Sequence, residues 1–199
     1  MQIIIATNNQ GKRREFKQLL SGHDVSISCL DDYPQIPEPP ETKNTFDGNA
    51  LQKAEFVFSQ INEKINTIVI ADDSGLCVEA LNGGPGIYSK RFSQEQTAEA
   101  NNKKLLFALD QEKNRRAYFH CSIAIVSHRG TSVVQGQCHG SIAKNLSGVG
   151  GFGYDPLFIP DTFSAQTMAT ISADQKNSIS HRANALKKAL PIIQKILNK

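Results

Sequence analysis

The sequence predicts an α/β fold with a central mixed, twisted sheet flanked by helices. Short apolar runs alternate with segments of helical periodicity through the first half of the chain, which is the pattern of strands joined by helices. In the second half, two neighbouring runs of alternating apolar residues predict a β-hairpin, which adds antiparallel strands. The regular alternation of strands and helices breaks near residue 115, and this break indicates a second lobe.

The first strand and helix follow directly from the N-terminus. Residues 2–6 are mostly apolar, as expected of a strand buried on both faces, and Phe16, Leu19 and Leu20 follow at helical spacing. Residues 25–28 predict a second strand. The segment DDYPQIPEPPETKN carries four prolines and therefore predicts a long irregular loop, a kind of loop that is often functional.

A helix and a third strand are predicted after this loop. Asn44 or Thr45 can cap the helix, and apolar residues recur at helical spacing from there to Ile61. The run TIVIA at 67–71 predicts another buried strand. We expect this strand to end where the sequence DDSG begins.

The second half begins with a helix over residues 98–109. Two strands are predicted between Tyr118 and His139, with a hairpin turn at Arg129-Gly130. A short strand, LFI, follows the glycine-rich sequence GVGGFGYDP. Apolar residues from Ile179 to Leu197 share one face of a C-terminal helix, which Pro191 should kink or interrupt.

Length and composition indicate a globular protein, and we expect residues 1–199 to form one domain. Hydrophobic residues make up 39% of the chain and charged residues 21%. The net charge of +3 suits an anionic ligand but is too weak for a protein that coats DNA. No apolar run is as long as the roughly 18 residues that a membrane span needs.

The cysteines and the N-terminus indicate a cytoplasmic protein. The four cysteines are scattered without a C-x-x-C pair, which argues against a zinc site or a disulfide framework and favours buried, reduced thiols. The start MQIIIATNN lacks the basic and long apolar stretches of a signal peptide.

The first candidate for chemistry is the loop in IIIATNNQGKRREF. A helix that begins directly after a buried strand presents backbone N–H groups and the positive end of its dipole, and both attract phosphate. Asn8, Asn9 and Lys12 add side-chain donors. Gly11 is the only glycine, so the loop matches neither G-x-x-x-x-G-K-[ST] nor G-x-G-x-x-G. Phosphate binding and a plain turn supported by asparagine are both open.

The second candidate is Asp72-Asp73-Ser74-Gly75, which places two carboxylates where open α/β sheets bind ligands. Side chains alternate along a strand, so one carboxylate can coordinate a metal or orient water while the other supports the backbone. The same residues also suit a turn. Glu41, on the proline-rich loop, gains weight only if a metal is bound, because Mg²⁺ typically takes one or two carboxylates together with substrate phosphates.

The third candidate is the glycine-rich loop at residues 150–156. Its glycines permit close backbone approach to a ligand, and Phe152 and Tyr154 offer rings on which a base can stack. Asp155 offers an acceptor to a base edge or a sugar. The alternative is a tight turn whose aromatic rings face the core.

The fourth candidate is Ser180-His181-Arg182 at the predicted start of the last helix, with Lys176 just before it. Cations are unfavourable at a helix N-terminus, so this pair indicates an anionic or electron-rich partner. Arg182 could also read purine O6 or N7 through its planar fork. The alternative is a set of ordinary exposed residues.

These segments together resemble one family, the inosine/xanthosine triphosphate pyrophosphatases, and they occur in that family's order over nearly the whole chain. The segments that carry the resemblance are Thr7-Asn8-Asn9-x-x-Lys12, Glu41-Thr42-x-x-Thr45-Phe46 with Asn49-Ala50, Ala71-Asp72-Asp73-Ser74-Gly75, Gly84-Pro85-Gly86-Ile87-Tyr88-Ser89, Phe119-His120-Cys121, Gly150-Gly151-Phe152-Gly153-Tyr154-Asp155-Pro156 and Ser180-His181-Arg182.

The resemblance implies Mg²⁺-dependent hydrolysis of ITP, dITP and XTP to the nucleoside monophosphate and pyrophosphate. It also implies a homodimer and an active-site cleft between two lobes. Asp73 is implied as the catalytic proton acceptor and, with Glu41, as a Mg²⁺ ligand. The residues implied to bind substrate are Thr7, Asn8, Asn9, Gln10, Gly11, Lys12, Ser74, Phe152, Gly153, Tyr154, Asp155, Lys176, His181 and Arg182.

The chain departs from the family pattern at Gly48. Many relatives carry an acidic residue directly before the Asn-Ala pair, whereas here Asp47 precedes a glycine. If that acidic side chain helps to bind metal, its role here is lost or is partly taken by Asp47.

Two other function classes are open at this point. The Maf-like nucleotide pyrophosphatases share a general architecture but prefer other nucleotides. A nucleotide-sensing or nucleic-acid-binding module would bind without releasing pyrophosphate, although carboxylates around the site would repel a DNA backbone.

Overall fold

A computed structural model describes residues 1–20, 25–163 and 165–198, and its main element is one six-stranded sheet. The strand order is β2-β1-β3-β4-β5-β6. The strands are β1 (Gln2–Ile5), β2 (Ser26–Cys29), β3 (Thr67–Val78), β4 (Arg116–Ser127), β5 (Gly130–Ile142) and β6 (Phe158–Pro160).

The sheet is mixed, as the sequence predicted. Strand β1 runs parallel to both β2 and β3, while β5 and β6 are antiparallel. Strands β4 and β5 are neighbours joined by only His128 and Arg129, a connection that requires a hairpin. The predicted turn at Arg129-Gly130 is therefore displaced by one residue, because Gly130, at a φ of 121°, already opens β5.

Five α-helices accompany the sheet in the described residues. They are α1 (Gln10–Leu19), α2 (Phe46–Gln60), α3 (Ala98–Ala108), α4 (Ala173–Ile179) and α5 (His181–Leu197). Thr45 caps α2, since its side chain accepts the Gly48 N–H. Among the described helices, none is both long and apolar enough to cross a membrane.

The chain divides into two compact units. Unit 1 comprises Met1–Asp73, Cys121–Gly136 and Ala183–Lys199, and unit 2 comprises Ser74–His120 and Gln137–Arg182. The expected second lobe thus corresponds to a unit whose boundaries fall inside β3, β4, β5 and α5. The active-site cleft and the single domain over residues 1–199 stay predictions.

Alternation along β1 explains the core of unit 1. Ile3 and Ile5 pack with α1 and α5 residues on one face, whereas Ile4 and Ala6 pack with α2 residues on the other. A strand covered on both faces has to be apolar throughout, and this accounts for the run of isoleucines. Unit 2 has its own core around Leu76, Leu105 and Phe158.

Strand β3 is longer than predicted and contains the acidic pair. Ile70 is the last residue of β3 paired with β1, but the strand continues to Val78 because Leu76 and Val78 are buried in the core of unit 2. Asp72 and Asp73 therefore lie within the strand, beyond the end of β1, and the prediction that the strand ends before them is wrong.

The C-terminal helical segment also differs from its prediction. Ile179 ends α4, and the extended backbone of Ser180 separates α4 from α5. Helix α5 continues through Pro191, so the helix is not interrupted there. A proline within a helix removes one backbone hydrogen bond, and the apolar face of α5 packed on the unit 1 core outweighs that loss.

Candidate active site

The loop before α1 is braced by its own side chains. Asn9 Oδ1 accepts the Lys12 N–H at 3.0 Å, and Thr7 Oγ1 accepts the Asn9 N–H at 3.2 Å. Asn9 is therefore the N-cap of α1, so the asparagine supports the turn as one alternative proposed. Asn8, Asn9 and Gln10 are exposed, which leaves the N-terminus of α1 open to an anion.

Lys12 projects from the first turn of α1 to a buried carboxylate. Its Nζ lies 3.0 Å from Oδ1 of Asp72, whose side chain is fully buried. The Cys121 Sγ lies 3.9 Å from the other oxygen, Oδ2. Strand β3 and helix α1 thus hold the Lys12 ammonium at a defined position within unit 1.

Glu41, Asn49, Lys53 and Asp73 form a second group of charges in unit 1, which we call the carboxylate cluster. Lys53 Nζ lies 2.7 Å from Glu41 Oε1 and 3.5 Å from Asp73 Oδ1. Asn49 Nδ2 donates to Asp73 Oδ2 at 3.0 Å. The structure therefore brings the two predicted metal ligands, Glu41 and Asp73, onto one ammonium.

Asn49 and Lys53 were not among the predicted site residues. Both lie on the buried face of α2, four residues apart and interleaved with Ala50, Ala54 and Val57. A polar pair at this spacing within an apolar stripe could have been recognised in the sequence as part of a buried site. The reason is that a lysine is almost never buried without a partner of opposite charge.

Burial and neighbouring charges set the ionisation of this cluster. Burial raises the pKa of Asp73 above its ordinary value, although the ammonium groups of Lys53 and Lys12 oppose the shift. Burial by itself would lower the pKa of Lys53, but the Asp73 and Glu41 carboxylates outweigh it and the pKa is raised. Lys53 therefore stays charged, and Asp73 is a stronger base than an exposed aspartate.

The donor atoms of the carboxylate cluster suit a hard divalent cation. Glu41 and Asp73 offer carboxylate oxygens, which Mg²⁺ prefers. Within residues 1–20, 25–163 and 165–198, no group of three His, Cys, Asp or Glu side chains could hold a metal. Two carboxylates completed by water and substrate oxygens match the way in which Mg²⁺ is usually bound.

Asp47 has hydrogen-bond partners of its own. Its Oδ1 accepts from Ser122 Oγ at 2.5 Å and its Oδ2 accepts from Gln135 Nε2 at 2.6 Å. A Cβ on Gly48 would lie 2.9 Å from both the Lys43 Cβ and the Thr45 Oγ1. Glycine thus fits the crowded first turn of α2, and Asp47 ties that turn to β4 and β5 by both oxygens.

In unit 2, the loop at residues 152–155 is held by buried polar contacts. Asp155 Oδ2 accepts from the Phe152 N–H at 2.7 Å and from Lys176 Nζ at 2.6 Å. Tyr154 is buried and donates its hydroxyl to the Ser89 carbonyl at 2.9 Å. Tyr154 therefore matches the alternative in which an aromatic ring faces the core, whereas Phe152 is only half-buried.

Two cations lie beside Phe152, and one of them donates to a serine. Lys176 Nζ lies 4.9 Å and the Arg182 guanidinium carbon 5.9 Å from the centre of the Phe152 ring. Arg182 donates to Ser74 Oγ at 3.1 Å. Cations next to an aromatic face suit a flat, electron-rich ligand such as a purine.

His181 and Arg182 are buried, 6% and 1% exposed, so the alternative of ordinary exposed residues is wrong. The His181 ring stacks on Phe119, with 4.8 Å between ring centres and 15° between planes. A buried stacked imidazole and a buried guanidinium require specific partners. Unit 2 therefore brings together Ser74, the 152–155 loop, Lys176 and Arg182. His181 precedes Arg182 in the chain, and its ring is placed by Phe119.

These observations define the class of protein. It is an α/β protein in which each of the two units buries a group of ionisable side chains. The sequence model of the Ham1 family matches residues 3–192, and the chain belongs to that family.

Curated relatives and a solved structure agree with this assignment. The chain is 43% identical to a dITP/XTP pyrophosphatase of Bacillus anthracis, with 94% of this chain and 93% of the relative covered. It is 45% identical to a dITP/XTP pyrophosphatase of Listeria innocua, with 100% and 97% covered. The structure of the Staphylococcus aureus Ham1 protein has a TM-score of 0.85 at 40% identity and covers 98% of this chain and 99% of that one.

The substitution Lys53→Met tests the carboxylate cluster. It leaves Glu41 and Asp73 without their shared ammonium, and we expect a loss of about 3–5 kcal/mol in unfolding free energy near neutral pH. A carboxyl whose pKa is higher in the folded than in the unfolded protein destabilises the fold as pH rises between the two values, so the variant should regain stability as the pH falls below neutral. Denaturant unfolding at neutral and at mildly acidic pH measures this.

Lys103→Met is the matched control, because Lys103 pairs with Glu99 on the exposed face of α3. It should change neither the stability nor its pH dependence. An equal response of the two variants would contradict the assignment of Lys53 to a buried charge cluster.

Proposed function

We propose that this protein hydrolyses ITP, dITP and XTP to the nucleoside monophosphate and pyrophosphate, and so removes non-canonical purine nucleotides from the nucleotide pool. The observation that carries the proposal is the carboxylate cluster, in which a basic Asp73 is held by Asn49 and lies beside the Lys53 ammonium. The names of the curated relatives, dITP/XTP pyrophosphatase, support the same reaction and substrate class.

In this proposal, the charged groups of unit 1 bind the triphosphate. The exposed N-terminus of α1 offers backbone N–H groups, and residues Thr7 to Lys12 form the loop and the first helical turn at this end. Lys12 and Lys53 supply the two ammonium groups. Because phosphate oxygens gain negative charge as the anhydride bond breaks, fixed donors of this kind stabilise the transition state.

Asp73 accepts the proton of the attacking water. Its Oδ2 is occupied by Asn49, whereas Oδ1 lies 3.5 Å from Lys53 Nζ, beyond ordinary hydrogen-bond length. We therefore assign Oδ1 as the base. The water oxygen bonds to phosphorus, the bridging P–O bond between the α- and β-phosphates breaks, and the water proton passes to Asp73.

Glu41 and Asp73 would hold Mg²⁺, whose charge, when bound, neutralises the phosphate oxygens. Lys53 already places one positive charge between these carboxylates, and this supports the assignment of the pair to a cation-binding role.

The purine base of the substrate is assigned to unit 2. Phe152, next to Lys176 and Arg182, offers a ring for stacking. Arg182 donates hydrogen bonds, so it can pair with the 6-oxo group of hypoxanthine or xanthine but not with the 6-amino group of adenine. Discrimination built on polar pairing of this kind can be large, because a mismatched base leaves a buried donor unsatisfied.

We further propose a cytoplasmic homodimer without a nucleic-acid or membrane partner. The support comes from the family resemblance and from the net charge of +3, which is low for a protein that binds nucleic acid.

Pyrophosphate release over a nucleotide panel tests the proposed function. We expect turnover of ITP, dITP and XTP with Mg²⁺, little turnover of ATP, and loss of activity when the metal is chelated. A preference for dTTP or UTP would instead indicate a Maf-like specificity. Tight nucleotide binding without pyrophosphate release would identify a sensing module and refute the proposal.

The substitution Asp73→Asn tests Asp73 as the general base. An amide cannot accept the proton, so we expect the turnover of ITP to fall by about 10²–10⁴-fold, the usual contribution of general base catalysis. Asp31→Asn is the control, since Asp31 is an exposed carboxylate that pairs with Arg13. Near-normal turnover in Asp73→Asn would exclude Asp73 as the base.

The substitution Lys12→Ala tests the phosphate loop. We expect a loss of about 10²–10³-fold in ITP turnover, because a fixed donor to the developing charge is removed. The change also strands the buried Asp72, so the double variant Lys12→Ala with Asp72→Asn should restore stability without restoring turnover. Lys17→Ala, on an exposed position of the same helix, should behave as wild type. Retained activity in Lys12→Ala would make this segment an ordinary turn.

A further inference from the structure

Helix α3 carries two adjacent buried asparagines, Asn101 and Asn102, 5% and 4% exposed. The Asn101 amide is fully bonded. Its Oδ1 accepts the Ser93 N–H at 2.6 Å, and its Nδ2 donates to the carbonyls of Ser89 and Lys90 at 3.3 and 3.1 Å. Asn101 thus binds the segment before α3 to the helix, and this structural role explains its burial.

Asn102 is bonded differently. Its Nδ2 donates to the Gly153 carbonyl at 3.0 Å, but its Oδ1 is buried and has no hydrogen-bond partner in the described part of the chain. A buried acceptor without a donor destabilises a fold. A role in stabilising α3 therefore does not explain why an asparagine stands at position 102. Its one hydrogen bond goes to the loop that is proposed to contact the purine base.

That hydrogen bond fixes the peptide between Gly153 and Tyr154. Gly153 has a φ of 62°, and apart from residues 152–154 no atom lies within 4 Å of the place where a Cβ would be. Glycine populates both signs of φ readily, so little in the loop itself resists rotation of this peptide. On either side, the Phe152 N–H and the Tyr154 hydroxyl are bonded to Asp155 and Ser89.

The direction of this peptide decides which backbone group the loop offers to a ligand. In a planar trans peptide, the C=O and N–H point in opposite directions. Because the Gly153 carbonyl points to Asn102, the Tyr154 N–H points away from α3. Within the described residues, this N–H donates to no backbone carbonyl.

We propose that Asn102 is a positioning residue for purine selection, which acts by holding the 153–154 peptide with the Tyr154 N–H directed at the 6-oxo group of the base. The inference rests on the proposed function, in which the 152–155 loop contacts the base. A 6-oxo group accepts a hydrogen bond from this N–H, whereas the 6-amino group of adenine is itself a donor. If the peptide turned over, the loop would offer a carbonyl and favour the wrong base.

The experiment compares Asn102→Leu and Asn102→Asp with wild type. Leucine keeps the volume and removes the unpartnered acceptor, and aspartate keeps the shape without the donor. For both we expect the ratio of kcat/KM for ITP to that for ATP to fall about tenfold, which is what one hydrogen bond can supply. The change should lie in KM, with kcat within about twofold of wild type, since the phosphate groups are untouched.

Asn101→Leu is the matched control, one residue away and equally buried. It should lower thermal stability, because three hydrogen bonds are lost, yet leave the ITP/ATP ratio unchanged. Binding of IMP and AMP, measured by calorimetry, tests the same selectivity without turnover. The IMP/AMP affinity ratio should fall in the Asn102 variants alone.

Two results would overturn the inference. One is a wild-type ratio in both folded Asn102 variants, and the other is an equal loss in Asn101→Leu, which would assign the effect to helix packing. Failure of the proposed function is distinguishable, because wild-type protein would then release no pyrophosphate from ITP, while the IMP/AMP comparison would still report on Asn102.

Discussion

Two adjacent buried carboxylates in strand β3 impose the main constraint on this protein. Asp72 and Asp73 are 1% and 6% exposed, and a buried charge is tolerated only when it is paired. Consecutive side chains of a strand point to opposite faces of the sheet, so each carboxylate takes its own direct cation partner. Lys12 from α1 pairs with Asp72, and Lys53 from α2 pairs with Asp73. The positions of both helices are thereby tied to the acidic pair.

In unit 2, several buried polar side chains hold the backbone of loops. Asn101, Asn102 and Tyr154 all donate to main-chain carbonyls. Such contacts shape loops that have no regular secondary structure of their own. Lys176 and Arg182 lie beside the half-buried ring of Phe152, and cations next to an aromatic face are a suitable environment for a purine.

Much of the fold could be predicted because it depends on local periodicity. The isoleucines of β1 and the capped, amphipathic α2 have patterns that a single segment carries by itself. The end of β3 could not be predicted in this way, since Asp-Asp-Ser-Gly is ordinary turn chemistry. The strand continues only because Leu76 and Val78 find a core that distant segments build. The same holds for the helix break at Ser180, which lies within one continuous apolar pattern.

In the candidate site, too, some features follow from the local sequence and others depend on distant segments. The amino-acid sequence by itself determined the residue types that can carry the chemistry, namely Lys12, Glu41, Asp73 and the 152–155 loop, because their order and spacing match one family. Only the tertiary structure decided how they are paired: Lys53 between Glu41 and Asp73, Arg182 on Ser74, and Asn102 on the Gly153 carbonyl. Pairing of this kind joins residues up to 108 positions apart in the chain. It depends on the packing of whole elements, and no local pattern in the sequence contains that information.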